Sequence, residues 1–520
     1  MKLIRQWQKQ HTTKTGGKAN TPLNSFAVCT WYVYQRLAVL SKPFLILSLE
    51  NMSIIQIRTT RKSLLADTLT PIGIFMKIRK NFKNSVILES ADYHGREHGF
   101  SHIAFDPVAS FELTDSKVTQ TFPDGAIEKF TLENRRDAIQ ALKAFADRFG
   151  FQKEKGDSPM ANGLFGHISY DAVTYFEDIE IQAKNPETEI PSIRYFVYRY
   201  VVAVNHFNNQ MSLYAHSYDG SEPSFDTITY LLNMPHYDSE RFELVGEETS
   251  NLTDPQVKEI VETCIKHCLR GDVFQIVPSR RFAQGFKGDD FQLYRALRSV
   301  NPSPYLFYFD YEHYRILGAS PEKQIKIEGD VAEIHPIAGT FRRSGDDARD
   351  AELAQELLAD PKETAEHVML VDLARNDLSR SADHVKVETF KEVQFFSHVI
   401  HLVSKVTGRL QKGVNPLQLV ADTFPAGTLS GAPKHNAMTI INRLEPTNRA
   451  IYGGAIGFMD FQGNFNHAIA IRTFLSKGNT LYFQAGMGVV AKSAVASEMQ
   501  EIHNKLAALR RALEVASTLS

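Results

Sequence analysis

Cysteine is scarce in this sequence, and the positions of the few cysteines exclude several kinds of site. Among 520 residues only Cys29, Cys264 and Cys268 are cysteines, too few for a disulfide framework. Cys264 and Cys268 lie four residues apart on a predicted helix without a second pair of ligands, so two packed thiols are favoured over a metal site. No cysteine lies in a nucleophile setting and no Gly-x-Ser-x-Gly elbow occurs, which argues against a covalent hydrolase. A reducing compartment, the cytoplasm, is expected.

The sequence also lacks a strong net charge and a long apolar run. Its formal net charge is −2, which indicates no basic patch for nucleic acid or for an anionic membrane surface. The apolar stretch 37–49 is interrupted by Lys42 and Pro43, so it is too short and too broken to span a membrane. We therefore expect neither nucleic acid nor a membrane among the partners.

Residues 1–51 differ in composition from the rest of the chain. They contain seven Lys and Arg residues against one acid, Glu50, and they hold both tryptophans, Trp7 and Trp31. A basic, acid-poor start can be a targeting segment. The simpler interpretation is that Met52 is the true start. Residues 1–51 are then expected to be a basic, disordered extension or to lie outside the native chain, and the fold prediction leaves them out.

From Thr70 onward, predicted strands and helices mix without an internal repeat. Residues 85–91 and 192–205 have the β-branched and aromatic content of strands. The apolar periodicity of residues 497–516 is that of a helix with one buried stripe. Because strands and helices do not alternate regularly, the sequence predicts an α+β fold of antiparallel sheets rather than a doubly wound parallel sheet.

A polar, acidic segment, residues 244–253, is the best linker candidate. It would divide an N-terminal region, residues 70–245, from a C-terminal region, residues 254–516. The second region would open with a helix capped by Asp254. Further along, residues 360–363 have the sequence of a capping box, with proline at the first helical position.

Two pairs of glutamates could carry chemistry. Glu363 and Glu366 lie three residues apart near the start of one predicted helix, and Glu498 and Glu501 have the same spacing at the start of the last helix. Carboxylates arranged in this way can hold a hard cation such as Mg²⁺, which takes one or two protein carboxylates. Acids are also common in first turns because the helix dipole favours them there, and Glu363 would have a capping role.

Small-residue loops form a second group of candidates. Each loop could expose backbone N–H groups to a close ligand or could be a tight turn, and none matches a phosphate-binding or dinucleotide-binding motif. Together with Arg472 and Lys434 they suggest a small anionic ligand. The loops span residues 336–340, 425–434, 452–455 and 484–488.

Taken together, these segments resemble the chorismate-utilising enzymes, and within them anthranilate synthase component I. The resemblance implies a large single α+β domain in which antiparallel sheets enclose the active site. The residues that carry it form nine blocks in the family order: GDVFQIVPSRRF (271–282), NPSPYLFY (301–308), GASPE (318–322), PIAGT (336–340), AEHVMLVDLARNDL (365–378), HLVSKVTG (401–408), PAGTLSGAPK (425–434), YGGAIGF (452–458) and QAGMGVV (484–490).

The resemblance implies a reaction in which ammonia attacks C2 of chorismate, the C4 hydroxyl leaves, and pyruvate is eliminated to give anthranilate. It implies Mg²⁺ at the ring carboxylate, with Glu366 and Glu501 as its ligands. Arg472 is suited to bind a carboxylate through two parallel hydrogen bonds. By the same resemblance, the chorismate pocket is formed by Gly339, Thr340, Tyr452, Arg472, Gly486, Met487 and Gly488.

Three further residues match catalytic positions of the family. Glu322 matches the general acid that protonates the departing hydroxyl, and its pKa would have to be raised by burial. His401 and Thr428 match positions needed for the later elimination, in which a histidine can move the C2 proton. The alternative for His401 is a core histidine that orients a neighbouring group.

Two positions indicate the nucleophile. Where isochorismate and salicylate synthases carry a lysine that activates water, this chain has Gln275, and a neutral amide cannot deprotonate water. Where aminodeoxychorismate synthases commonly carry a lysine that attacks C2, this chain has Ala338. Aminodeoxychorismate synthase component I is thus a less favoured alternative. A catalytically silent, chorismate- or tryptophan-binding regulatory subunit is another, although such a subunit would not need Glu322, Glu366, His401 and Glu501 together.

The resemblance also implies a partner and a regulator. A glutamine amidotransferase subunit, component II, would supply ammonia, because the chain has no amidotransferase cysteine. Tryptophan would inhibit the enzyme at a site distinct from the chorismate pocket. Ser90, within a segment that resembles the family's tryptophan-site motif, would form that site together with Pro304, Tyr305 and Leu306.

Overall fold

The computed structural model describes residues 54–90, 99–151, 154, 156–181, 185–234, 240–396 and 399–519. Residues 1–51, for which the sequence predicts an extension, lie outside the described residues. None of the helices in these ranges is long and apolar enough to cross a membrane.

Twelve α-helices occur in the described residues, and most of them lie in the second half of the chain. Two short 3₁₀ helices, Arg135–Asp137 and Tyr170–Ala172, accompany them. The α-helices are α1 (Pro71–Arg79), α2 (Ala138–Ala146), α3 (Val173–Phe176), α4 (Asp226–Asn233), α5 (Asp254–Arg270), α6 (Phe291–Val300), α7 (Asp347–Ala359), α8 (Pro361–Ser379), α9 (Pro416–Thr423), α10 (Gly427–Ser430), α11 (Lys434–Leu444) and α12 (Val495–Ala516).

The strands of the described residues run through the whole chain. They are β1 (Ile55–Gln56), β2 (Arg58–Leu65), β3 (Val86–Glu89), β4 (Phe100–Thr114), β5 (Lys117–Thr121), β6 (Ile127–Thr131), β7 (Phe149–Gly150), β8 (Leu164–Ile168), β9 (Ile193–Asn205), β10 (Gln210–Ser217), β11 (Phe242–Ser250), β12 (Gln275–Ile276), β13 (Ser279–Gly288), β14 (Tyr305–Asp310), β15 (Tyr314–Ser320), β16 (Lys323–Glu328), β17 (Val331–Ile334), β18 (Ile337–Arg342), β19 (Ala382–Phe395), β20 (Val399–Leu410), β21 (Gly431–Ala432), β22 (Ala455–Met459), β23 (Phe465–Ile469), β24 (Thr473–Lys477), β25 (Thr480–Gly486) and β26 (Val489–Val490).

Two large antiparallel sheets share the long strands β4 and β9, which pair with each other over most of their length. At one end of this pair the sheet continues from β9 to β10 and β2, and from β4 through β3, β14, β15, β24, β25 and β13 to β11. At the other end, β5 and β6 follow β4, while β8, β22, β23, β16, β17 and β20 follow β9. Strands β18 and β19 also pair with β20. The predicted α+β fold with antiparallel sheets is confirmed.

Strands from both halves of the chain alternate within these sheets. Strand β3 lies between β4 and β14, and β8 lies between β9 and β22. The predicted linker at residues 244–253 is therefore wrong, because most of it belongs to β11, which pairs with β13. The segment is polar because every residue of β11 except Phe242 is exposed. Residues 54–520 form one compact unit.

The start of α5 differs from the prediction. Its N-cap is Thr253 rather than Asp254, because the Gln256 Oε1 atom accepts hydrogen bonds from the Thr253 N–H and hydroxyl at 2.8 and 2.9 Å. Cys264 and Cys268 are buried on this helix as free thiols, which agrees with the packed-thiol interpretation.

The capping hydrogen bonds at the start of α8 determine whether the Glu363 side chain acts as a cap. Its N-cap is Asp360, as predicted, and the Asp360 carboxylate accepts the N–H of Glu363 at 3.0 Å. The predicted capping box is incomplete, because the Asp360 N–H donates to the Leu357 carbonyl instead of the Glu363 side chain. The Glu363 carboxylate is thereby available to the interior.

The last helix, α12, packs one stripe against the core, as its periodicity predicts. Ile502, Leu506, Leu509 and Leu513 are all buried in a large apolar cluster that also contains residues of α5 and α6. Only the apolar side of the helix can face the core, so this burial fixes the rotation of the helix about its axis. Residues on its first turns, including Glu498 and Glu501, are therefore held in a defined position.

Candidate functional site

Four carboxylates gather where the N-terminal turns of α8 and α12 approach each other. Burial raises the pKa of Glu363, and the neighbouring charges of Glu366 and Glu501 raise it further. Burial also raises the pKa of Glu498 to about 7, and Glu501 contributes to that shift. These four residues, Glu363, Glu366, Glu498 and Glu501, form the carboxylate cluster, in which repulsion between like charges disfavours ionisation of Glu363 and Glu498.

One lysine offsets part of this charge. Lys505 Nζ lies 2.6 Å from Glu501 Oε1 and donates to the Gly486 carbonyl at 2.9 Å. Burial alone would raise the pKa of Glu501, but the charge and hydrogen bond of Lys505 lower it. The sequence analysis gave Lys505 no role. Its position four residues after Glu501 on one helix face was the available signal.

The carboxylate cluster fits a hard divalent cation that is completed by other ligands. Within the described ranges, no three acidic, histidine or cysteine side chains converge closely enough to hold a metal ion by themselves. Mg²⁺ commonly uses only one or two protein carboxylates, with water or substrate oxygens in the remaining positions. Glu498 Oε2 is buried and has no hydrogen-bond partner among the described residues, which leaves a carboxylate oxygen available to a cation or its water.

Gln275 forms the wall next to the carboxylate cluster. It lies in β12, the central strand of a small sheet with β21 and β26, and its Nε2 atom donates to Glu366 Oε1 at 3.0 Å. Its Oε1 atom is buried and accepts no hydrogen bond from a described residue. A Cβ on Gly488 would lie 3.1 Å from Gln275 Nε2, so glycine keeps open the space beside this amide. The amide can therefore accept a hydrogen bond from a small ligand.

Arg472 supplies a positive charge on the other side of the site. Its φ of 51° lies in the left-handed region, which is uncommon for a residue with a side chain and is found at functional sites. Burial lowers its pKa, while Tyr452 and Glu501 oppose that shift. The part of the chain that the structure describes contains no ion pair to Arg472. The Tyr452 hydroxyl lies 3.0 Å from the Cβ position of Gly486, and Tyr452 is near enough to Arg472 for each to shift the pKa of the other.

Lys434, which the sequence analysis added to the anion-binding residues, lies elsewhere. Its Nζ atom lies 2.7 Å from Asp377 Oδ2 and donates to the Thr423 carbonyl at 3.0 Å. Because its charge is neutralised by a buried carboxylate, Lys434 is not available to a ligand. That expectation was wrong, and Lys434, the first residue of α11, instead ties the start of that helix to α8 and to the end of α9.

Strands β18 and β20 bring Gly339, Thr340 and His401 together. Thr340 lies opposite His401 in the antiparallel register. His401 Nδ1 lies 2.8 Å from the Gly339 carbonyl, which can only accept, so Nδ1 carries the hydrogen. Burial lowers the pKa of His401. The imidazole is therefore neutral, and its Nε2 atom carries the lone pair that can accept a proton.

Glu322 lies at the junction between β15 and β16, and the start of α10 brings Thr428 to it. The Thr428 hydroxyl donates to Glu322 Oε1 at 2.9 Å. Burial raises the pKa of Glu322 to about 7, against the smaller opposing effects of Thr428 and Lys505. A carboxyl group with such a pKa is substantially protonated near neutrality and can act as a general acid.

The Met487 side chain faces away from the site. It is buried in the hydrophobic core with residues of α12. Its N–H donates to the Pro278 carbonyl at 2.9 Å and its carbonyl accepts the N–H of Val489 at 3.2 Å. Met487 therefore separates Gly486 from Gly488 without offering a group to a ligand.

The two segments of the predicted tryptophan site lie next to each other, where β3 ends and β14 begins. Glu89 and Leu306 pair directly in the antiparallel ladder between β3 and β14, which places Ser90 beside Tyr305 and Pro304. Ser90 donates its N–H to the Phe100 carbonyl at 3.3 Å. Residues more than 200 positions apart in the sequence, Glu89 and Leu306, thus lie side by side at one end of β3.

The assembled site can bind an anion and can both give and take a proton. A cation held by the carboxylate cluster and the Arg472 guanidinium would attract negative groups of one ligand. Glu322 offers a proton, His401 can accept one, and Gln275 offers a neutral acceptor. Hydroxyl and carboxylate groups of a small ligand would meet suitable partners in such a site.

The sequence matches known proteins over most of its length. Residues 84–511 match the family described as chorismate binding enzyme. Anthranilate synthase component 1 of Aquifex aeolicus is 36% identical over 487 residues, which are 90% of this chain and 96% of that protein. Anthranilate synthase component 1 of Mycobacterium tuberculosis is 37% identical over 491 residues, 89% of this chain and 93% of that protein.

Solved structures have the same fold. Anthranilate synthase component I from Streptococcus pneumoniae is 31% identical, superposes with a TM-score of 0.69, and the match covers 86% of this chain and 99% of that one. A menaquinone-specific isochorismate synthase from Escherichia coli superposes with a TM-score of 0.66 at 19% identity, over 93% of this chain and 99% of that one. The second likeness concerns the fold alone.

The carboxylate cluster generates a testable prediction about metal binding. Glu366→Gln or Glu501→Gln should weaken Mg²⁺ binding by more than about tenfold, because each removes a charged oxygen ligand. Isothermal titration calorimetry with MgCl₂ measures this directly. Glu352→Gln on α7, where the side chain is 68% exposed, is the matched control and should bind as the wild type does. Equal affinity of either cluster variant and the control would show that the residue is no ligand.

Proposed function

Because the chain belongs to the chorismate binding enzyme family, we propose that it converts chorismate and ammonia into anthranilate, pyruvate and water, as the synthase component of an anthranilate synthase. The observation that carries this proposal is the neutral amide of Gln275, whose buried Oε1 atom has no partner among the described residues. An amide can accept a hydrogen bond from ammonia but cannot deprotonate water. The high identity to relatives named anthranilate synthase component 1 supports the same reaction.

Chorismate fits the charges of the site. It is a dianion with a ring carboxylate and an enolpyruvyl carboxylate, and Arg472 with Tyr452 would bind one of them. Mg²⁺, held by Glu366 and Glu501, would neutralise the ring carboxylate and orient the ring for attack. Gly486 and Gly488 leave room for the ring, because added Cβ atoms there would approach Tyr452 and Gln275. Gly339 and Thr340 would line the side next to His401.

In the first half of the reaction, a C–N bond forms at C2 and the C–O bond at C4 breaks. Gln275 would hold ammonia at C2, while the protonated carboxyl group of Glu322 gives its proton to the departing hydroxyl, which leaves as water. Thr428 fixes the orientation of Glu322 through its hydrogen bond to Oε1. One proton of the new ammonium group at C2 is released, so the charges balance.

In the second half, pyruvate is eliminated and the ring becomes aromatic. His401 would take the proton from C2 through Nε2, since its Nδ1 hydrogen is engaged by the Gly339 carbonyl. The enolpyruvyl group leaves as pyruvate when its methylene carbon gains a proton. The alternative role of His401, orienting a neighbour, is compatible with this hydrogen bond, which fixes the imidazole ring.

Ammonia attack is also supported by Ala338. It lies in β18 with only 8% of its surface exposed, and its methyl group offers no amine for covalent attack on C2. A chain with alanine at this position therefore cannot use the lysine-dependent reaction of the aminodeoxychorismate synthases. Retention of a proton donor, a proton acceptor and a cation site in one pocket supports an active enzyme over a silent binding subunit.

The ammonia would come from a separate glutamine amidotransferase subunit. Cys264 and Cys268 cannot serve as amidotransferase nucleophiles, because both are buried on α5 and burial raises the pKa of the Cys264 thiol to about 12. Cys29 lies outside the described residues. Relatives are named as component 1, which agrees with a second component. Free cysteines also suit a reducing compartment, and we place the enzyme in the cytoplasm.

Tryptophan would inhibit the enzyme at the cluster of Ser90, Pro304, Tyr305 and Leu306. Glu89, next to Ser90, accepts hydrogen bonds from the Tyr294 hydroxyl at 2.7 Å and from Arg298 Nε at 2.9 Å. A ligand that binds here would contact strands from both halves of the chain, β3 and β14, and would reach α6 through this network. Inhibition requires that tryptophan bind one arrangement of these elements better than another.

The first functional prediction separates ammonia from glutamine. The purified chain with chorismate and Mg²⁺ should form fluorescent anthranilate from an ammonium salt but not from glutamine, since the described residues offer no reactive cysteine. Glutamine should become a substrate only when the amidotransferase subunit of the same organism is added. Glutamine-dependent turnover by the chain alone, shown to be free of that subunit, would contradict the proposed partner.

The second functional prediction concerns the dependence of the reaction rate on pH. Free ammonia increases with pH while ammonium is the main species, and the protonated fraction of Glu322, whose pKa is about 7, decreases above pH 7. The rate at a fixed, subsaturating total ammonium concentration should thus rise in proportion to hydroxide concentration below pH 7 and level off above it. A proportional rise that continues well above pH 7 would show that Glu322 is not the general acid.

The third tests the tryptophan site. Ser90→Phe should leave turnover near the wild-type rate and relieve inhibition, because the larger side chain fills the space beside Tyr305. Ser517→Phe, at an exposed position after α12, is the control and should stay inhibited. Binding can be followed by tryptophan fluorescence in a chain that begins at Met52, which contains no tryptophan. Inhibition that is unchanged in Ser90→Phe would overturn the assignment.

A further inference from the structure

A cavity borders Glu322 and Thr428, and its empty space of about 390 Å³ includes open solvent at its mouth. One wall is apolar and comes from α8, with Leu370, Leu373 and Ala374. None of Glu366, Glu501 or Arg472 lines the cavity. Glu322 and Thr428 therefore stand between two spaces, the site that holds the carboxylate cluster and Arg472 and this second cavity.

The other wall of the cavity is polar. Gln324 is 97% buried, since only 3% of its surface is exposed; its Nε2 atom donates to Thr423 Oγ1 at 3.1 Å, and its Oε1 atom has no partner among the described residues. Asp377 also lines the cavity and is neutralised by Lys434. A buried acceptor of this kind is usually satisfied by an ordered water.

The outer end of the cavity lies at His335. Its side chain is 30% exposed, more than the side chains of Glu333 and Lys323 around it. His335 Nε2 lies 3.5 Å from Glu333 Oε1, and Lys323 Nζ lies 2.6 Å from the same oxygen. The charged and titratable groups at this end are thus His335, Lys323, Glu333 and Lys405; the His335 Nε2 atom is buried, while other atoms of its side chain reach solvent.

The proposed reaction requires that Glu322 be reprotonated and that a water leave in every turnover. In every turnover the C4–O bond breaks, the Glu322 proton passes to the departing oxygen, and one water and one carboxylate are left behind. In the proposed complex, the ring, the cation and ammonia would lie in the site with the carboxylate cluster, on the other side of Glu322 from the cavity. Glu322 must regain a proton, and the water must leave, before a second chorismate can react. The proton released from the new ammonium group at C2 balances the one that Glu322 takes up from solvent.

We propose that this cavity is a hydrated passage through which the water formed at Glu322 leaves and through which Glu322 regains its proton, with His335 at the outer end. The space beside Glu322 is polar on one side and large enough to admit water, which takes ~30 Å³ per molecule in the liquid. Gln324 and Thr428 provide polar groups along the way, and Asp377, the carboxylate of α8 that lines the cavity, is neutralised by Lys434. The inference rests on the proposed function, because only that reaction produces water at Glu322.

Variants that narrow the passage test directly whether water and protons move through it. Ala374→Leu places a larger side chain in the cavity, while Ala351→Leu makes the same change at an exposed position on α7. At a pH below 7, rapid-quench measurements should show a first turnover within a factor of about two of wild type, followed by a steady-state rate lowered about tenfold. The KM for chorismate should be unchanged. The Ala351→Leu control should lack this burst.

A second pair of variants protects the test against misfolding of Ala374→Leu. His335→Phe should produce the same burst by closing the outer end, while His335→Asn, which keeps a polar group there, should retain the wild-type steady state. Equal slowing of the first and later turnovers, or steady-state rates equal to the controls in both Ala374→Leu and His335→Phe, would overturn the passage. If the wild-type chain forms no anthranilate at all, the proposed function fails instead.

Discussion

The crowding of four carboxylates at the facing N-termini of α8 and α12 is the constraint on which the rest of the site depends. Both helix dipoles favour negative charge there, and Lys505 offsets part of it, but Glu363 and Glu498 still have raised pKa values. A bound cation relieves this repulsion and in turn attracts an anion. Arg472 completes the arrangement, because it has no ion pair within the described ranges and is held by a left-handed backbone.

The groups proposed to react with the ring are neutral, in contrast to those proposed to bind it. Gln275 is an uncharged amide, burial lowers the pKa of His401, and burial raises the pKa of Glu322 to about 7. Desolvation therefore favours the neutral form of both the acid, Glu322, and the base, His401. It keeps Glu322 able to give a proton and His401 able to take one at the same pH. The two shared strands, β4 and β9, hold together the sheets whose other strands and loops carry these residues.

Much of this arrangement could be predicted from the sequence, and the failures have physical reasons. Strands β3 and β9 and helix α12 were predicted because their side-chain patterns match their burial. Strand β11 was mistaken for a linker because nearly all its residues are exposed, so no pattern marks it. Lys434 was assigned to a ligand because its partner Asp377 lies 57 residues earlier in the sequence and meets it only in the fold.

The central claim is that ammonia attacks C2 of chorismate in a site that contains Gln275, Glu322 and a bound cation. Incubation of the chain with chorismate, Mg²⁺ and ¹⁵N-labelled ammonium, followed by mass spectrometry and NMR of the product, tests it most directly. The account predicts anthranilate with ¹⁵N in its ortho amino group and an equal amount of pyruvate. A para-substituted amine or a hydroxylated ring without ¹⁵N would contradict it.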